Sequence, residues 1–263
     1  MTYRSLPLFF VITFGVAWGI LGAFIFLPDA MQALFGPLTG THPLFVLAVY
    51  APAMAAFIIV ALWGGIPALR RFLTRLLLWR CPLPWAVFLV IGIPLIFAAG
   101  SLVKGNLEES FAALPALIAL LGAMLFTLVL GPVEEFGWRG VVLPIFQRHM
   151  VPFWAGLILG VIWGLWHLPA FFLSGTPQGA WGFAPFFVGS VAISLILTPL
   201  FNVSGGSILL AALFHFQLNN PLWPDAQPYD TVFFAMVAVL VVWLNRRMMF
   251  SRSHCVTEVV PAR

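Results

Sequence analysis

Charged side chains are scarce in this sequence: aspartate, glutamate, lysine and arginine together make up 8% of its 263 residues, whereas 62% are hydrophobic. A water-soluble domain carries about a quarter charged and about half apolar residues. The mean hydropathy of +1.07 therefore excludes water as the main solvent of this chain. Apolar runs of about 20 residues recur along it, which is the length a helix needs to cross a bilayer. We predict an all-α membrane protein in contact with the lipid bilayer.

Cysteine is equally scarce. Cys81 and Cys255 are too few and too far apart for a disulfide framework or a thiolate metal site. The net charge of +4 comes from arginines scattered over segment ends, with no basic stripe along one face. Nucleic-acid binding needs such a stripe or patch, so we expect no nucleic-acid partner.

The apolar runs predict about eight transmembrane helices in one membrane domain, residues 1–250, followed by a polar cytoplasmic tail at 251–263. The first run continues for about 20 residues without a clear cleavage site, so we interpret it as a spanning helix and not as a signal peptide. The fourth run is broken at Gly131-Pro132, and broken membrane helices line protein or water-filled cavities. The predicted spans are 6–27, 43–63, 84–103, 113–131 with a continuation to about 147, 152–173, 184–203, 205–219 and 229–249.

Arginine and lysine positions predict the topology, because cytoplasmic loops of membrane proteins carry an excess of these residues. With an even number of spans, all the arginines fall on the side of both termini and only Lys104 falls opposite. We therefore predict cytoplasmic termini in a bacterial inner membrane. The segment from Arg70 to Arg80 mixes arginine with apolar residues, as expected of a helix on the cytoplasmic interface; a solvated linker is the alternative.

The first group of chemically active residues is Glu134-Glu135 with Arg139. Glu135 and Arg139 are four residues apart on one helical face and can pair. Glu134 points elsewhere, and its repulsion from the neighbouring carboxylate suits it to act as a general base. The alternative is a surface ion pair at a cytoplasmic helix end. Because this cluster lies at the predicted cytoplasmic end of its span, we expect a polar cavity that faces the cytoplasm.

Two further groups contain histidine. His167 lies in an otherwise apolar span with Trp163 one turn before it, and His215 shares a helical face with Asn219. An imidazole can bind water, accept a proton or ligate a metal, and two donors on one face suit an oxyanion. The alternatives are a helix-to-helix hydrogen bond for His167 and a helix-capping role at Asn219-Asn220.

Together, a water-activating base and oxyanion donors are what hydrolysis of an amide requires. The chain also resembles the CPBP family, called Abi or type II CAAX prenyl endopeptidases, which are intramembrane glutamic proteases. The family pattern is Glu-Glu-x-x-x-Arg, an aromatic residue four before a histidine, and His-x-x-x-Asn. These motifs are found in order between residues 134 and 219, within a core of about 113–220, and Trp163 stands where phenylalanine is commoner.

The resemblance implies a role for each motif residue. Glu134 would activate water with help from His167, and His215 and Asn219 would stabilise the oxyanion. Glu135 would pair structurally with Arg139, and Trp163 would pack. Zinc bound by Glu134, His167 and His215 is formally possible, but the resemblance favours a mechanism without a metal or other cofactor.

We therefore expect an intramembrane endopeptidase that acts on a peptide or membrane-protein substrate. One alternative is a non-proteolytic scaffold or a bacteriocin-immunity protein. The other is a small proton-coupled transporter, since intramembrane glutamate and histidine are also typical of proton relays. A transporter is expected to show repeat symmetry between its halves, and the sequence has no internal repeat.

Overall fold

The computed structural model describes residues 1–112 and 115–261, which form helices and connecting loops with no β-strand among them. The all-α prediction is confirmed. The α-helices are α1 (Leu6–Phe26), α2 (Pro28–Phe35), α3 (Pro43–Val49), α4 (Ala51–Leu73), α5 (Leu83–Val87), α6 (Ile93–Lys104), α7 (Leu107–Ala112), α8 (Leu117–Leu130), α9 (Glu135–Gly137), α10 (Leu143–Gln147), α11 (Pro152–Trp166), α12 (Phe183–Val203), α13 (Ile208–Leu218), α14 (Asp230–Leu244) and α15 (Arg246–Met249).

Six continuous helical segments of the described chain are long and apolar enough to cross a membrane. The seventh and eighth predicted spans correspond to the shorter apolar helices α13 and α14, so a count of eight stays a prediction. Either count is even, and both termini therefore lie at the same end of the bundle. The six long segments are Tyr3–Phe26, Ala51–Leu77, Leu83–Lys104, Leu117–Gln147, Pro152–Phe172 and Phe183–Val203.

Helix α4 bends at Gly64-Gly65, where Gly65 has a φ of +63° that a residue with a side chain rarely adopts. Beyond the bend, residues 66–77 include Arg70, Arg71 and Arg75. The side chains of Ile66 and Leu77 in this segment are exposed. The segment overlaps the Arg70–Arg80 segment for which the sequence predicts an interfacial helix, and its helical part ends at Leu77.

The closest helix pairing joins α11 to α12 through glycines on α11 spaced four residues apart. A Cβ on Gly160 would lie 2.8 Å from the Cα of Val191, which is closer than real side chains approach. The Oγ of Ser194 donates a hydrogen bond of 2.8 Å to the carbonyl of Gly156. Small residues of this kind let membrane helices pack backbone to backbone, and here they fix α11, which carries Trp163 and ends just before His167.

Two hydrophobic clusters fill the bundle. One is built mainly on α1, α4, the second half of the Leu117–Gln147 segment and α11, and the other on α6, α12, α13 and α14. Ile193 and Leu218 pack against both clusters. The polar residues of the three motifs lie along the boundary between the clusters, where a cavity opens.

The C-terminal tail, residues 251–261, folds back onto the bundle. The buried Arg75 donates hydrogen bonds to the carbonyls of Val259, at 3.1 Å, and Gly206, at 2.8 Å. Gln147 donates to the carbonyl of Val256 at 2.7 Å, and Asn202 accepts from the amide of the same residue at 2.9 Å. The tail therefore connects the end of the Leu117–Gln147 segment to the turn that precedes α13.

Candidate active site

The Leu117–Gln147 segment changes helix type as it passes the motif residues. After α8 it forms a 3₁₀ turn at Pro132–Glu134, the single turn α9, a π-turn at Trp138–Val142 and then α10. Pro132 and Pro144 lack the amide hydrogen that a regular helix would use, and their rings displace the carbonyl four residues earlier. Such irregular turns are frequent at functional sites, and here they turn Glu134, Glu135 and Arg139 towards the interior.

The carboxylate of Glu134 is held by two tryptophans. The indole Nε1 of Trp163 donates to its Oε2 at 2.9 Å, and that of Trp138 donates to the same oxygen at 3.3 Å. Both indole rings are buried, and Glu134 itself is 3% exposed. With both donors on Oε2, the second carboxylate oxygen is left for another partner. Trp163 thus does more than pack, and Trp138 is a site residue that the sequence reasoning missed, although its position four residues after Glu134 places it on the same helical face.

Glu135 connects two helical segments. Its Oε1 accepts from Nη1 of Arg139 at 3.1 Å and from Nδ1 of His215 at 2.7 Å. Both partners of the Glu135–Arg139 pair are completely buried, and the guanidinium of Arg139 also lies 4.8 Å from the Trp163 ring centroid, in cation–π geometry. The predicted pairing of Glu135 with Arg139 agrees with this geometry, and the bond to His215 fixes α13 against the same helix.

His215 and Asn219 approach the helix backbone at Gly131. A Cβ on Gly131 would overlap Nδ2 of Asn219 and would lie 2.9 Å from Nε2 of His215. Two polar side-chain atoms therefore converge on one point beside the 3₁₀ turn that carries Glu134. Nδ2 of Asn219 is a donor, and Nε2 of His215 is one when both ring nitrogens carry hydrogen, so in that state the two atoms can bind a common oxygen atom.

His167 is positioned by its own helix. Its Nδ1 lies 2.8 Å from the carbonyl of Trp163, and because a carbonyl oxygen only accepts, Nδ1 carries the hydrogen. In the neutral ring, Nε2 then presents a lone pair. The Trp163 ring packs edge-on against both His167 and His215, with centroid distances of 5.5 and 5.6 Å, so one indole lies between the two imidazoles.

The four predicted catalytic residues share one cavity of about 570 Å³. Most of its walls are apolar and aromatic, which is usual for a ligand-binding site with a few placed polar groups. The polar residues on its walls near the motifs are Glu134, His167, Ser190, His215, Asn219 and Asn220.

The cavity and the chain termini lie at opposite ends of the bundle. We call the end formed by residues 1–4, 74–82, 147–151, 204–207 and 245–261 the terminal face; Arg148 binds the carbonyls of Met1 and Thr257 there. We call the end formed by residues 36–42, 104–107, 174–182 and 220–230 the mouth face; Lys104 pairs with Asp225 there at 2.6 Å. The cavity is lined by mouth-face residues such as Gly40, Gln178, Trp223 and Asp225.

Two predictions therefore exclude each other. Cytoplasmic termini place the cavity mouth outside, and a cytoplasmic cavity places the termini outside. The conflict has a structural reason. The sequence predicts Glu134 at a helix end, but it lies inside a helical segment of 31 residues, Leu117–Gln147, and its cavity extends towards the N-terminal end of that segment. Arg139 was also counted with the cytoplasmic arginines, but it is 0% exposed in the bundle interior. Arg263 lies outside the described residues.

The zinc alternative requires Glu134, His167 and His215 to lie close enough together to bind one metal ion. In residues 1–112 and 115–261, no group of three histidine, cysteine, aspartate or glutamate side chains is placed to hold a metal ion. Glu134, His167 and His215 line the same cavity without forming such a group. As the structure places them, these three side chains do not form a zinc site. No step of the chemistry below is assigned to a metal.

Comparison with known proteins identifies a related family. Residues 115–220 match the family model of the type II CAAX prenyl endopeptidase Rce1-like proteins. A stretch of 160 residues, 57% of this chain, is 28% identical to "CAAX prenyl protease 2" of Methanococcus maripaludis and covers 56% of it. The chain thus matches about half of the length of that relative. The resemblance to the CPBP family, predicted from three short motifs, is confirmed.

Proposed function

We propose that the protein is an endopeptidase that hydrolyses a peptide bond within the bundle, because its motif region matches the Rce1-like family model and resembles a CAAX prenyl protease. The observation that carries this proposal is the convergence of Glu134, His167, His215 and Asn219 on one cavity. A carboxylate beside two convergent polar atoms is the arrangement that water attack on a carbonyl needs.

In this mechanism Glu134 is the general base. The two indole donors orient its Oε2, and the other oxygen accepts a proton from a water molecule. The water oxygen attacks the carbonyl carbon of the scissile bond, while Nε2 of His167 accepts a hydrogen bond from the same water. Glu134 then returns the proton to the departing amine, so the C–N bond breaks and the carboxylate is regenerated.

His215 and Asn219 stabilise the oxyanion. Glu135 accepts the Nδ1 hydrogen of His215 and so fixes the ring with its Nε2 edge beside Nδ2 of Asn219. Donation to the oxyanion from this ring requires a hydrogen on Nε2 as well. Removing one oxyanion donor typically costs about 10²–10³-fold in kcat. The buried Glu135–Arg139 pair holds these donors in place and does not touch substrate.

The test is cleavage of a fluorogenic peptide library by the purified protein in detergent. Glu134→Gln keeps the shape of the side chain and removes the base, so we expect activity to fall to background, and Asn219→Ala is expected to lose about 10²-fold or more in kcat. Glu258→Gln is the control, since its side chain is exposed on the terminal face.

Chelation forms the second arm of the same experiment. Activity that survives a chelator supports the glutamate mechanism, whereas activity lost on chelation and restored by zinc would refute it. Full activity in folded Glu134→Gln would remove Glu134 as the base. A folded wild type that cleaves no member of the library would favour the scaffold alternative.

A further inference from the structure

The charges on the two ends of the bundle differ sharply. Nine arginines lie on the terminal face or on the interfacial segment beside it. On the mouth face and the helix ends next to it, the described chain carries one basic residue, Lys104, whose ammonium is paired with Asp225. The nine arginines are Arg4, Arg70, Arg71, Arg75, Arg80, Arg148, Arg246, Arg247 and Arg252, and the acidic residues at the opposite end are Asp29, Glu108, Glu109, Asp225 and Asp230.

This asymmetry fixes the orientation of the cavity. Lysine and arginine near the ends of spanning helices remain on the cytoplasmic side during insertion, and acidic residues contribute little to the bias. Nine arginines against one paired lysine is a strong bias, and it needs no assumption about whether six or eight helices span. We infer that the terminal face is cytoplasmic and that the catalytic cavity opens on the extracytoplasmic side of the membrane.

The packing of the tail agrees with this orientation. Two arginines on the terminal face donate hydrogen bonds to backbone carbonyls. Arg75 donates to Val259 and Gly206, and Arg148 donates to Thr257. A face closed by the chain's own tail leaves the opposite end for entry. There the cavity reaches the loops at Gly40, Gln178 and Trp223.

The inference also names a class of substrate, and this part rests on the proposed peptidase function. The scissile segment would reach Glu134 from outside, as an exported peptide or an extracytoplasmic segment of a membrane protein. Because five acidic residues and one lysine lie at the mouth end, the field there favours a substrate with basic residues near the cleavage site.

Cysteine labelling tests the orientation directly. A membrane-impermeant maleimide is applied to intact spheroplasts of expressing bacteria and, in parallel, to permeabilised ones. In a chain with both native cysteines replaced by alanine, Ser174→Cys and Thr41→Cys report on the mouth face, where both positions are exposed. His254→Cys is the matched exposed position on the terminal face. None of the three is a predicted catalytic residue.

We expect Ser174→Cys and Thr41→Cys to be labelled in intact spheroplasts, and His254→Cys only after permeabilisation. The reverse pattern would overturn the inference, as would partial labelling of both faces in intact spheroplasts. The native thiols are poorer reporters, because burial raises the pKa of Cys81 and of Cys255 and so lowers the reactive thiolate fraction at neutral pH.

A cleavage arm separates this inference from the proposed function. A peptide that the purified protein cleaves in detergent is added outside intact spheroplasts and, separately, outside inverted vesicles. Faster cleavage in spheroplasts supports the orientation, and cleavage confined to inverted vesicles refutes it while leaving the peptidase intact. Absence of cleavage in detergent counts against the peptidase alone, since the labelling result needs no activity.

Discussion

Replacing Gly131 by alanine tests the geometry of the site at its tightest point. A methyl group there would overlap Nδ2 of Asn219 and lie 2.9 Å from Nε2 of His215. Ordinary contacts between heavy atoms are about 3.5–4.0 Å, so Nε2 of His215 must retreat by about 0.6–1.1 Å and Nδ2 of Asn219 by more than about 1 Å. Misplacing a catalytic group by about 1 Å can cost about 10²-fold in rate. We expect Gly131→Ala to lose activity by about that factor.

Gly122→Ala is the matched control on the same helical segment. No described heavy atom other than its own helix lies within 4 Å of a Cβ at that position. Alanine also has a better helix propensity than glycine, by about 1 kcal/mol. Gly122→Ala should therefore be as active as the wild type, with equal or higher thermal stability.

The assay compares kcat, KM and the melting temperature of both variants in the same detergent. A loss in kcat for Gly131→Ala with little change in melting temperature is the expected result, because the methyl group displaces Asn219 and His215 while the two hydrophobic clusters stay packed. If Gly131→Ala keeps kcat within about twofold of the wild type, α13 does not approach this helix as described. The convergence of the two donors would then be refuted.

Three further changes address other contacts. Trp163→Phe keeps a ring and removes the 2.9 Å bond to Glu134; bonds to charged groups are worth about 1.5–3 kcal/mol, so kcat should fall about 10–100-fold with KM unchanged. Arg139→Leu leaves the buried Glu135 without its guanidinium and should lower the free energy of unfolding by about 3 kcal/mol. Leucine at both positions should recover part of that loss, because Nδ1 of His215 then lacks its carboxylate partner. Arg75→Met should release the C-terminal tail, which limited proteolysis would detect as faster cleavage after residue 252.

The chemistry of this site was predictable from sequence because the lipid environment makes polar residues conspicuous. Each ionisable residue within a span carries an insertion cost, so Glu134, His167 and His215 stood out from the apolar background, and all of them line the cavity. Helical spacing was enough to pair Glu135 with Arg139. The second partner of Glu135, His215, is 80 residues away, and no local pattern encodes a contact at that separation.

Two other parts of the site, Gly131 and Trp138, were not predicted, because neither residue is ionisable and so neither differs clearly from the apolar background of the sequence. The sequence predicts a helix break at Gly131-Pro132. In the structure, the absence of a side chain at Gly131 lets Asn219 and His215 approach the helix backbone. The sequence analysis assigns no role to Trp138, whereas in the structure its N–H donates to Glu134. The C-terminal tail, outside the site, is predicted to be a polar extension. In the structure Val259 in this tail is 1% exposed, and its carbonyl accepts a hydrogen bond from Arg75.

The position of Glu134 inside a long helical segment shows why a helix end cannot be inferred from a run of apolar residues alone. The apolar run of the fourth span is interrupted at Gly131-Pro132, and the polar cluster directly after it suggests an interface. The helical segment continues to Gln147, in agreement with the predicted continuation to about residue 147. Its polar residues have buried partners: Glu135 pairs with Arg139, and Trp138 bonds to Glu134. Paired polar residues can thus lie at mid-membrane depth. The end of this segment is marked by Arg148, which binds the C-terminal tail, and the cavity mouth lies at the opposite end of the bundle.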